Sequence, residues 1–128
     1  MRRRDLFVLL IGLAGCGNAT KPFDQILPKQ IAGGWQRNDL RSIRKVPDVV
    51  SQLGLEEAVE TTYQGPGVVQ IHAFRMRAET SAFELMQKWR PGEGMAAYKG
   101  PFFFVAAPQG TDPQPAAALL RALQQAAS

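Results

Sequence analysis

Residues 57–77 read EAVETTYQGPGVVQIHAFRMR. Two runs rich in Val, Ile, Thr, Tyr and Phe flank Gly65-Pro66-Gly67, the composition of two strands joined by a tight turn. The spacing predicts strands over 57–64 and 67–77. If Gln64 pairs with Gly67 across a two-residue loop, Val59 faces His72 and Glu57 lies diagonally on the same face. Tyr63, Val68, Phe74 and Met76 share that face, while Glu56, Glu60, Arg75 and Arg77 take the other.

Helix signals stand on both sides of this hairpin. Upstream, Pro47 to Gly54 reads as a short helix, with proline early and glycine at the C-terminal cap. Before it, 35–43 is expected to form a first strand. Ile31 and Trp35 are core anchors there, and Gly33-Gly34 permits a tight turn. Downstream, Ser81-x-x-Glu84 reads as a capping box, and Ala82, Leu85, Met86 and Trp89 follow one helical face. Pro91-Gly92 ends that helix. Strands over 95–99 and 102–107 meet at Gly100-Pro101. Asp112 then caps a helix over 113–126, with Ala116, Leu119, Leu120 and Leu123 facing inward. Tyr63-Gln64-Gly65-Pro66 recurs as Tyr98-Lys99-Gly100-Pro101, offset by 35 residues. A helix–hairpin unit used twice, or chance reuse of a turn tetrapeptide, both account for it. The expected class is α+β: a four- to five-stranded, mostly antiparallel sheet with about three helices on one face.

The N-terminus is of a different kind. Arg2, Arg3 and Arg4 precede the uncharged run from Leu6 to Ala14. A membrane-spanning helix needs ~20 apolar residues, so this run is too short to span. A charged start, a short apolar stretch and small residues after it describe a secretory signal. Leu13-Ala14-Gly15-Cys16 resembles the lipobox of bacterial lipoprotein precursors: an aliphatic residue, two small ones, then cysteine. The resemblance covers 16 of 128 residues. It implies that 1–15 are cleaved, that the Cys16 thiol carries a diacylglyceryl group, and that its new amine is acylated. Two or three acyl chains anchor firmly where one holds marginally. Arg3-Arg4-Asp5-Leu6-Phe7 also faintly resembles a twin-arginine export signal, although a general secretory signal fits better. Gly17 is not the Asp associated with inner-membrane retention, so lipoprotein sorting implies a preference for the outer membrane. Residues 16–26 read as the lipidated end and its tether, and 27–128 as one small domain. The opening of that domain, with Leu27-Pro28, Ile31 and Gly34-Trp35, resembles small bacterial envelope domains of unknown function. One extra residue, Ala32 or Gly33, interrupts the pattern, and the resemblance implies no activity.

Composition narrows the chemistry. The formal charge of +4 falls to +2 once the leader is removed, which argues against nucleic acid as a partner. One cysteine allows no intrachain disulfide. With Cys16 taken by lipid and His72 the sole histidine, no metal set is indicated. Phosphate-loop patterns such as GxGxxG and GxxxxGK are missing, so no cofactor is expected. His72 has no nucleophile at a telling spacing and reads as a structural histidine on the hairpin. Glu56, Glu57, Glu60, Glu84 and Glu93 show no acid–base pairing. Arg37, Arg41, Arg44 and Lys45 cluster locally, as a surface for anionic headgroups or an acidic partner, or as a solvated strand edge. Phe102 and Phe104 fall on one strand face and Phe103 on the other. They form either a central strand covered on both sides or an aromatic binding surface.

These features lead to a lipid-anchored envelope protein, attached to the membrane through Cys16 and facing the periplasm, or on the outer side of the cytoplasmic membrane. Its domain is expected to bind an envelope protein without catalysis. Two other readings are a carrier holding an apolar ligand around Phe102–Phe104, and a small tethered enzyme using His72 with a carboxylate such as Glu57.

Overall fold

A computed structural model describes residues 21–90, 94–110 and 112–128. The leader, the lipobox residues Leu13, Ala14, Gly15 and Cys16, and Pro91-Gly92-Glu93 lie outside the described residues.

The 57–77 stretch forms the expected hairpin, β4 (Leu55–Gln64) and β5 (Val68–Met76). Its register differs from the expected one. Gln64 pairs with Val68, so the connection is three residues long, and Gly65 N donates to the Gly67 carbonyl at 2.9 Å. Side chains alternate along a strand, so a one-residue shift exchanges the faces of β5 relative to β4. Val59, Thr61 and Tyr63 therefore stand with Val69, Ile71 and Ala73, and Glu60 stands opposite His72. Tyr63 and Phe74, expected on one face, belong to opposite sides of the sheet.

On its other side β5 pairs with β7 (Phe102–Pro108), which pairs in turn with β6 (Met95–Lys99). Beyond β4 come β1 (Gln30–Ile31) and β2 (Trp35–Arg37), and β3 (Arg41–Ser42) also pairs with β4. The order is β1-β2-β4-β5-β7-β6 with every pairing antiparallel, seven strands among the described residues. The strand expected over 35–43 is split. Thr61, the one buried polar residue among those described, donates its hydroxyl to the Asn38 and Asp39 carbonyls at 3.0 and 3.1 Å. Asn38 N still donates to the Thr62 carbonyl at 2.9 Å, and the ladder breaks between it and Arg41, which divides β2 from β3.

Among the described residues four helices, not three, cover the sheet, and on both faces rather than one. α1 (Phe23–Ile26) and α4 (Gln114–Ala126) pack on one face. α2 (Asp48–Gln52) and α3 (Glu79–Lys88) pack on the other. α4 matches its expectation closely: Asp112 Oδ1 accepts from Gln114 N at 3.0 Å, and Ala116, Leu119, Leu120 and Leu123 are buried. α2 also matches, with Gly54 at φ +98° beyond its end. α3 starts earlier than the capping box implied. Ala78 stands at its N-cap without a side-chain bond, which puts Ser81 inside the helix. Met86 is exposed, and Trp89 closes the helix. α1 lies within the expected tether, yet Phe23 and Ile26 are buried. The folded unit therefore includes Lys21 onward.

β7 runs through the middle of both cores. Phe102 packs on Phe23 and Phe104, with ring centroids 6.0 and 6.5 Å apart, on the α1–α4 face. Phe103 packs on Trp89 and Phe74 on the other face, at 5.2 and 6.4 Å. Full burial of each ring contributes about 1.5–3 kcal/mol.

The order helix–strand–strand occurs twice, as α2–β4–β5 and α3–β6–β7, and α4 closes the chain. The echoing tetrapeptides are not equivalent in space. Lys99 pairs with Phe102 across only two residues, and Gly100 has φ +57°. Tyr63 lies in the α1–α4 core, whereas Tyr98 packs against the α2–α3 side and meets Phe83 edge-on at 5.9 Å.

Candidate functional site

Among the described residues, α2 and α3 leave part of their face of the sheet open. Where the cover stops, a cleft of about 350 Å³ opens beside the middle of β4 and β5. Phe74 and Val105 line it from neighbouring strands, and Trp89 lines it from the end of α3. Ile43, Lys45 and Pro47, from the connection between β3 and α2, form the opposite wall. The Trp89 indole N–H donates to the Gly94 carbonyl at 3.1 Å, which holds that ring in place.

The polar part of the cleft follows from the register. Glu60 and His72 are rung partners on adjacent strands, so their side chains rise together. His72 Nε2 lies 3.3 Å from Glu60 Oε1, and Arg41 Nη2 lies 3.5 Å from Glu60 Oε2. Arg41 is itself the rung partner of Glu60 on the β3 side. A single carboxylate thus joins three strands and orients the imidazole. The His72 and Glu60 side chains are 35% and 26% exposed, so they remain accessible to a ligand. The arrangement offers an imidazole–carboxylate edge and an ammonium group beside an aromatic wall. Among the described residues that line it there is no Ser, Thr or Cys.

The sequence-derived candidates are dispersed. Glu57, the carboxylate assigned to His72, instead meets Arg75 at 3.0 Å, and Glu56 meets the same guanidinium at 3.4 Å. Arg37 is used within the fold: its guanidinium donates to the Leu27 carbonyl and, at 3.0 Å, to the Asn38 carbonyl. Arg41 joins Glu60, Lys45 lines the cleft, and Arg44 is exposed beside it in sequence. The four basic residues therefore do different jobs. Phe102 and Phe104 are 3% and 0% exposed and packed on other rings, so they present no surface to a partner. Glu60 and Trp89 were missed as site residues. Opposite charges alone do not choose the register, because the two-residue loop sets Glu56 against Arg75 just as the three-residue loop sets Glu57 against it; only the latter brings Glu60 to His72.

Tyr63 shows how the remaining polarity is handled. Its hydroxyl donates to the Pro28 carbonyl at 2.7 Å, and burial pushes its pKa above the ordinary range, with the Arg37 guanidinium pulling the other way. Among the described residues, no group of three or more His, Cys, Asp or Glu side chains is placed to hold a metal ion. No helix among them is long and apolar enough to cross a membrane. Compared with known protein families, curated proteins and solved structures, the chain gives no significant match.

Proposed function

We propose that this chain is a lipid-anchored protein of a bacterial envelope, and that its α+β domain binds an envelope protein through the His72–Glu60 cleft without catalysing a reaction. The order of features at the N-terminus carries the anchoring half. A basic start, an uncharged run and Leu13-Ala14-Gly15-Cys16 are followed only seven positions after Cys16 by the core residue Phe23. So short a link keeps the domain beside the bilayer that the acyl chains enter. Intact mass of the chain extracted from its own membranes tests this. The expected species begins at Cys16 and carries acyl chains; an unmodified chain beginning at Met1 ends the proposal.

The cleft supports the binding half, because it combines accessible charge with an aromatic wall. A photo-crosslinker at Lys45 is expected to capture a partner in membranes, while one at exposed Gln30 is not. Equal capture at both positions removes the cleft from the proposal. The imidazole, 3.3 Å from the Glu60 carboxylate, also fits a second reading, in which His72 acts as a general base oriented by Glu60 on a substrate that supplies its own nucleophile. Loss of cellular function in His72→Ala with retained partner capture would favour that reading.

A further inference from the structure

Four basic residues distant in sequence meet where the described chain begins. Lys21 precedes α1, Arg77 follows β5, Lys99 ends β6 and Arg121 lies in α4. The Lys21 ammonium donates to the Ser128 backbone carbonyl. Lys21 and Arg77 line one hollow with Pro101, Ala127 and Ser128. Lys99 and Arg121 line a second with Gln124, Gln125 and again Ser128. Two acidic side chains, Glu56 and Glu79, line the first hollow, and Glu56 already meets Arg75; among the described residues no Asp or Glu side chain lines the second.

We propose that this end of the domain, with Lys99 and Arg121 at its centre, docks on the anionic phospholipid headgroups of the bilayer that holds Cys16. The inference rests on the lipidation of Cys16 proposed above. Four residues lie between Cys16 and Lys21, and the five residue steps from one to the other reach at most ~18 Å when fully extended. The nine residues of β5 alone rise about 30 Å from this end toward the Gly65–Gly67 turn. The basic end is therefore tethered against the membrane, and the turn stands off it. Each Lys or Arg near an anionic surface strengthens partitioning about fivefold, the equivalent of ~1 kcal/mol. That suffices to orient a domain already held by acyl chains. The basic run at Arg41–Lys45 is not the docking surface, since Arg41 joins Glu60 and Lys45 faces the cleft.

Amine footprinting of the acylated protein, purified from membranes and reconstituted into vesicles, tests the orientation. In vesicles containing phosphatidylglycerol, Lys99 is expected to label severalfold more slowly than in pure phosphatidylcholine, while exposed Lys29 and Lys45 label equally in both. The double variant Lys99→Glu/Arg121→Glu is expected to abolish the lipid-dependent difference at Lys21. Equal labelling of Lys99 in the two vesicles overturns the docking, as does protection at Lys29 or Lys45 instead. Protection of Lys99 only in native membranes and never in lipid vesicles also overturns it, and assigns the patch to an acidic protein. Intact mass of the same preparation reports acylation separately, so an acylated but unprotected chain removes the docking surface alone.

Discussion

Tyr63 shows how one residue can carry both packing and a pH limit. Its ring is fully buried, and its hydroxyl gives the Pro28 carbonyl a partner. Because burial raises its pKa, the folded chain keeps the phenolic proton at pH values where the unfolded chain releases it. The contribution is whole below the ordinary tyrosine value of about 10 and is lost progressively as the pH rises above it. Tyr63→Phe is expected to lower stability by about 1–2 kcal/mol at neutral pH, through the orphaned carbonyl. It should also flatten the alkaline fall in denaturant titrations across that region; an unchanged alkaline limb would show that another group sets it. At Glu60 the expectation is the reverse. The carboxylate is partly exposed and shared between Arg41 and His72, so Glu60→Gln is expected to change stability by less than about 1 kcal/mol. A larger loss in equilibrium unfolding would make the pair a structural strut rather than part of a recognition edge.

At the scale of elements, what could be read depended on length and periodicity. Both hairpins, α4 and α2 were legible because each has several alternating or helical positions bounded by proline, glycine or aspartate. The register of β4 against β5 was not, because Gly65-Pro66-Gly67 accepts a two- or three-residue loop equally well on composition. Choosing the shorter loop exchanged Glu60 for Val59 opposite His72, and with it hid the site. The short strands β1 and β3 have two residues each, too few for any alternation to show. α1 was lost for the same reason, since four helical residues span barely one turn. Its importance lies in what it buries. Ile26→Ala is expected to cost about 2–5 kcal/mol in chemical denaturation, as for any large aliphatic removed from a core. A cost near zero would return this segment to the tether.

Taken whole, the molecule is one sheet with two separate cores, joined through β5 and β7, which bear side chains on both. Trp35 reports on the α1–α4 side, and Trp89 packs against the α2–α3 side. Since Phe102, Phe103 and Phe104 are consecutive on one strand, neither core can be released without disturbing the other. Single-tryptophan variants are therefore expected to unfold at the same denaturant midpoint; two midpoints would divide the sheet into independent halves. The contact between Lys21 and Ser128 has a practical consequence. Lys21 and Ser128 share one pole, so anything attached at Ser128 emerges beside the start of α1. Under the anchoring proposed above, a fluorescent protein fused there would be wedged between the domain and the bilayer and would tilt the cleft away from its resting height. A small dye carried on Pro66, at the opposite pole, would leave that height undisturbed and could be used to measure it.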